Sequence, residues 1–297
     1  MKQIIVVLLF VSTFACQKVN ENSEATSSPD FENERNAFFN NLMEPAEAAA
    51  QIEATGAEFN ANLMSDPKNF SMYAGNPVKA AANMGVYLSD LNYSIAYKQA
   101  ATTKEYFMAA HELSKVIGIE RQALEFLMKR YNDNINRNDS VQNIVTALLR
   151  KSTSDLQGTA REKLVGIAMA AYQVENLHLA LGAIGSYPKD ILPDDSRTTI
   201  LIPLYKMVLG QRANIEIIYG FLKSVTDPAQ PDENPNYLYY SNAFEELIAL
   251  YKRLNVQERI ANNQALELMN DSVMTELSEK VNAVRNKITS DESAAVR

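Results

Sequence analysis

Few residues in this chain have the type and spacing that chemistry demands. Histidine occurs only twice. His178 follows Glu175 by three positions, and Glu-x-x-His puts both side chains on one face of a helix. Such pairs hold di-iron sites in helical bundles, which need a second Glu-x-x-His and two further glutamates. Met108 stands three residues before His111, so the second motif is missing. His-Glu-Leu-Ser-Lys at 111–115 also lacks the second histidine of a zinc-protease helix. No metal site and no cofactor are expected. His178 reads as a hydrogen-bonded, half-buried residue and His111 as a surface or boundary residue. The chain has no Gly-x-Ser-x-Gly elbow, phosphate-cradling loop or dinucleotide fingerprint. The adjacent acids Glu245-Glu246 and Asp194-Asp195 would point apart on a helix, so no catalytic residue is assigned.

The stretch YLSDLNYSIAY at 87–97 is the richest in polar function. Tyr87, Asp90, Ser94 and Tyr97 fall along one helical strip beside an apolar one. Such a strip could line a pocket in which Asp90 accepts hydrogen bonds from a ligand hydroxyl or amine. It could equally tie neighbouring helices together, and the nearby Gly85 suits close packing of backbones. Arg212 interrupts an apolar stripe; if it points inward it needs a partner such as Asp90 or Glu175, because burying an unpaired guanidinium is costly. Otherwise it faces solvent. Tyr87, Asp90, Tyr97, Glu175, His178 and Arg212 are therefore the candidate cluster, either ligand-binding or structural.

A different chemistry is suggested at the amino terminus, MKQIIVVLLFVSTFACQK, which holds the only cysteine. Lys2, the apolar run Ile4 to Phe14 and the small Ala15 follow the plan of a secretory signal. The run is too short to span a membrane, which takes about 20 apolar residues. Phe14-Ala15-Cys16 resembles a bacterial lipobox, with Thr13 where leucine is usual. That resemblance implies a signal peptide over 1–15 and diacylglyceryl and amino-terminal acyl chains, such as palmitate, on Cys16. Cleavage at a nearby site and an uncleaved segment are the alternatives. Acyl chains contribute about 0.8 kcal/mol per buried CH₂, so two or more hold a protein on a bilayer without help from its surface. With a single cysteine, no intramolecular disulfide or zinc–thiolate cluster can form.

Positioning these residues falls to helices. Apolar residues make up 46% of the 297, glycine and proline are sparse, and no convincing strand alternation appears. The net charge of −8 and the lack of a Lys/Arg block argue against nucleic-acid binding. Residues 16–30 read as the lipidated cysteine and a flexible tether. Helices are expected over Phe31–Met43, from Pro45 to Gly56 and from Pro77 to Gln99. Next comes one capped by Thr102 or Thr103 and stopped at Gly118, then Glu120–Asn132, Ser140–Leu156 and Thr159–Ser186. A further helix carries Val208 through Val225, and Tyr237–Leu254 and Gln257–Ser290 complete the set. The fold class expected is all-α: an irregular antiparallel bundle of long helices with shorter peripheral ones, forming one domain over 31–290 and a tail over 291–297. A split near Asn138 is the alternative. No internal repeat is found.

Residues 44–118 carry PAEAAAQIEATGAEFN, NPVKAAANMGVYLSDLNYSIAYKQ and YFMAAHELSKVIGI. With Asn83, Gly85, Val86, Tyr87, Asp90, Leu91 and Tyr93 in the spacing Asn-x-Gly-Val-Tyr-x-x-Asp-Leu-x-Tyr, this region resembles helical lipoproteins of the Bacteroidetes whose biochemical role is uncharacterised. The resemblance implies compartment and fold and transfers no catalytic residues. The functional expectation is a cell-envelope protein anchored by lipid, most simply at the outer membrane. Its role would be a non-enzymatic one, structural or in binding a ligand or an envelope protein. The alternative is an envelope enzyme or small-ligand binder using a polar pocket around Asp90, Glu175, His178 and Arg212.

Overall fold

The computed structural model describes residues 45–134, 137–156, 161–187, 194–224, 235–262 and 267–290, with isolated positions besides. Cys16, the tether, the helix expected over Phe31–Met43 and the 291–297 tail lie outside the described residues. Among the described residues all regular structure is helical, and the fold is an all-α bundle. Helix α1 is Pro45–Ala54, followed by an irregular strap with single helical turns at Ala61–Leu63, Pro67–Asn69 and Phe70–Tyr73. Then come α2 (Pro77–Ala96), α3 (Ala100–Ile117), α4 (Arg121–Asn134), α5 (Asn138–Leu156) and α6 (Lys163–Ser186). The carboxy-terminal part adds α7 (Asp194–Leu209), α8 (Arg212–Ser224), α9 (Pro235–Leu254), α10 (Val256–Ala261) and α11 (Ser272–Thr289).

Two helices form the centre. Asn76 caps α2, its side chain accepting from the backbone N–H of Val78 and Lys79, and Pro77 at the first turn starts the helix without losing a bond. Nearly every residue of α2 from Val78 to Ile95 is buried, including Asn83, Ser89, Asp90, Asn92 and Ser94. α6 is just as enclosed. It is long and apolar enough to cross a membrane by composition, yet 83% of its most apolar stretch is buried within the protein, as in a core helix. α2 packs most extensively on α6 and α3, while α11 and α8 lie against α6. Gly85 makes the central pairing possible: a Cβ there would lie 2.1 Å from the Ala168 carbonyl oxygen. Gly118, at φ +94°, ends α3 in the left-handed conformation that other residues resist.

The structure corrects three boundaries. The helix expected through Val208 and Ile218 is two, because the chain turns at Gly210-Gln211. There the Gln211 side chain takes the Met207 carbonyl at 3.0 Å and accepts from Gln173 of α6 at 3.0 Å. The helix expected over Gln257–Ser290 is also interrupted, with Asp271 capping α11 by accepting from the Val273 N–H at 2.8 Å. Thr103 is no cap; it lies inside α3, its hydroxyl bonded back to the Gln99 carbonyl at 2.9 Å.

Candidate functional site

Irregular backbone can be buried only if its polar groups find partners. The strap over 55–66 finds them in side chains of the surrounding helices. The Tyr87 hydroxyl of α2 donates to the Asp66 carbonyl at 3.0 Å, and the hydroxyl of Tyr97, which caps the end of α2, donates to the Ala57 carbonyl at 2.8 Å. The Tyr93 hydroxyl accepts from the Asn60 N–H at 3.2 Å. From α3, Tyr106 donates to the Ser65 carbonyl. Burial pushes the Tyr87 and Tyr106 hydroxyls far above their ordinary range, so both stay neutral donors.

Ser65 is also the meeting point of four ionisable groups' surroundings. Its N–H donates to Asp90 Oδ2 at 3.0 Å, and its hydroxyl accepts from Arg285 Nη2 at 2.9 Å. The Arg285 guanidinium donates from Nε to Glu175 Oε2 at 3.1 Å and from Nη2 to the Leu63 carbonyl at 3.2 Å. The same carbonyl accepts from His178 Nε2 at 3.0 Å, and His178 Nδ1 lies 2.7 Å from the Asn282 side-chain amide. Asp90 and Glu175 are both 0% exposed. Burial first, and the Glu175 carboxylate second, hold the Asp90 carboxyl well above the usual range, against the pull of the Ser65 N–H and Arg285. Asp90 Oδ1 has no hydrogen-bond donor. The neighbouring Glu175 carboxylate favours a proton on this carboxyl and can accept from it.

Of the six residues singled out in the sequence, five therefore converge on the strap: Tyr87, Asp90, Tyr97, Glu175 and His178. Arg212 does not. It sits at the surface, its Nε donating to Glu216 four residues on at 2.9 Å. Arg285 of α11 supplies the guanidinium instead. Its signal was present in the sequence, since it stands four residues after Val281 and three before Ile288, both fully buried. Ser65 carries no periodic signal that could have marked it, whereas Tyr106 stands in the buried stripe of α3, four residues before Ala110 and seven before Leu113. His111 is buried rather than peripheral, with Nδ1 3.6 Å from Glu112 Oε1, and burial pushes its pKa down. Among the described residues no three His, Cys, Asp or Glu side chains gather as a metal ion would need.

The ionisable cluster stands apart from the cleft found among the described residues. That cleft, of about 510 Å³, lies between the strap at 56–60 and the carboxy-terminal end of α6, with Leu63 and Tyr93 also lining it. Asp90, Glu175, His178 and Arg285 are absent from its walls. They stand behind the strap and hold its shape.

Asp90 is thus best tested as a positioning residue. Asp90→Asn keeps an oxygen for the Ser65 N–H and brings an N–H for Glu175, without a proton to lose. In the native protein the raised folded-state pKa means that the stability Asp90 contributes is fully present below its unfolded value. It is lost as pH rises toward the folded one. The melting temperature of Asp90→Asn should therefore gain on the wild type as pH rises from acid to neutral. Asp90→Ala should lose about 1–3 kcal/mol, having stranded the Ser65 N–H. Thermal melts of both variants across pH check this, and a parallel pH dependence for Asp90→Asn and wild type would refute it.

The chain matches no protein-family model, no curated protein and no solved structure.

Proposed function

We propose that this chain is a helical protein of the bacterial cell envelope, anchored to the outer membrane by acyl chains on Cys16 and serving a non-enzymatic binding or structural role. The observation that carries the reading is the placement of Cys16 directly behind Phe14-Ala15 and an apolar run too short to span a bilayer. The resemblance of residues 44–118 to Bacteroidetes lipoproteins supports the same compartment. The membrane is then a partner through lipid alone, which suits an acidic chain of net charge −8 that would be repelled by anionic headgroups. An envelope protein is the further partner expected.

The non-enzymatic part draws support from how the reactive side chains are used. Glu175 is bonded to Arg285 and His178 to Leu63 and Asn282, so both serve to hold the strap behind the cleft. Intact-mass analysis of the chain expressed in a lipoprotein-processing bacterium should show the wild type acylated at Cys16 and Cys16→Ser without lipid. The same unlipidated mass for both would refute the anchor.

A further inference from the structure

We propose that the cleft between the strap and the end of α6 binds a neutral sugar ring, a pyranoside of one or two units. The strap is costly to hold in place. Buried ion pairs are commonly no more stabilising than apolar replacements of similar volume. The Asp90–Glu175–Arg285 cluster nonetheless fixes the backbone at Leu63 and Ser65, while Tyr93 and Tyr97 fix it at Asn60 and Ala57. That set of contacts holds one wall of the cleft in a single conformation, and a wall preformed in this way lowers the ordering cost of binding.

Size and lining define the ligand. The volume of about 510 Å³ is in the range of small-molecule sites. Phe59 and Tyr187, both half-buried, present aromatic surface at the cleft, suited to the apolar C–H face of a sugar, while the buried Tyr93 ring backs Phe59. The Glu58 carboxylate and the Asn60 amide N–H₂ have no partner among the described residues, which leaves an acceptor and a donor at the cleft for ring hydroxyls. No Lys, Arg or His lines the cleft, so an anion has no counter-charge. A quaternary cation is a poorer match, because Phe59, Tyr93 and Tyr97 pack on one another at 4.8–5.6 Å between centroids and leave no box of open faces.

This proposal is independent of Cys16 acylation, and the two fail separately. Saturation-transfer NMR on the full chain with glucose, N-acetylglucosamine and cellobiose at millimolar concentration tests it. At least one sugar should receive saturation on its ring protons. Tyr187→Ala and Glu58→Gln should each weaken binding about tenfold or more. Tyr187→Phe, which keeps the ring, should retain it, as should Leu238→Ala, which alters an exposed residue of α9 outside the cleft lining. Circular dichroism confirms that each variant is folded. Three outcomes overturn the proposal: no transfer to any of the sugars, transfer that survives both Tyr187→Ala and Glu58→Gln, or binding of choline in place of sugar.

Discussion

Converting both Glu175 and Asp90 to their amides is expected to cost the folded state about 3–5 kcal/mol, well beyond the sum of the single changes. The reason is the side chain left behind. Arg285 is 14% exposed at its side chain and faces a Glu175 that is fully buried. With both carboxyls gone, its guanidinium keeps only the Leu63 carbonyl and the Ser65 hydroxyl, neutral acceptors that cannot balance a buried charge. Glu175→Gln alone should be milder. The Glu175 carboxylate is one cause of the raised Asp90 pKa, and Arg285 opposes it. Neutralising Glu175 therefore removes one of the causes that raise the Asp90 pKa and favours a carboxylate near Arg285, although burial still opposes it. Asp90→Asn alone keeps the Glu175–Arg285 pair intact. Urea unfolding of the wild type, both single variants and the double variant at neutral pH measures the coupling. A double variant within about 1 kcal/mol of the wild type would show that Arg285 does not depend on these carboxyls.

The helical class was legible in the sequence because helix formation here depends on local signals. Asn76-Pro77 at the start of α2 and Gly118 after α3 mark ends whose chemistry involves only neighbouring residues. The breaks at Gly210-Gln211 and before Asp271 were missed because apolar spacing runs across them. What stops the helices there includes the Gln211 side chain reaching its own turn and α6, a tertiary contact invisible to periodicity. The site divides in the same way. Tyr87, Asp90 and Tyr97 share one helix and were visible as a strip, and Glu175 and His178 share another. What completes the cluster comes from distant parts of the chain: Arg285 lies 110 residues from Glu175 and 220 from Ser65. In the sequence Arg212 and Arg285 are equivalent, since each adjoins an apolar stripe, and only Arg212 was singled out. Only the packing of α11 against α6, with α8 turned so that Arg212 meets water, separates them. The strap was the least legible part. It has no period, and its conformation is written in the side chains that bind it.

Gly85→Ala is expected to destabilise the protein by roughly 3 kcal/mol, although alanine is the better helix former by nearly 1 kcal/mol. A Cβ at position 85 would lie 2.1 Å from the Ala168 carbonyl oxygen, 3.0 Å from its carbon and 3.0 Å from the Tyr172 backbone nitrogen. All three atoms are backbone of α6, so no rotamer change relieves the overlap and the two central helices must separate. Separation strains the Ser89–Asn176 bond at 2.7 Å and the Asn92–Tyr172 bond at 3.2 Å, which join the same pair. Gly185 provides the control within the protein: it is in the last turn of α6, and nothing lies within 4 Å of a Cβ built there. Gly185→Ala should be neutral or stabilising by up to about 1 kcal/mol, so the melting temperature should fall for Gly85→Ala and hold or rise for Gly185→Ala. A Gly85→Ala protein as stable as wild type would contradict the close approach of α2 and α6. The consequence extends to the cleft, because α2 carries Asp90 and the strap-binding tyrosines while α6 carries Glu175, His178 and Ala183. Any increase in the distance between these helices moves the groups that hold the strap away from the wall opposite it, so a folded Gly85→Ala variant should lose sugar binding without any change to a residue that lines the cleft.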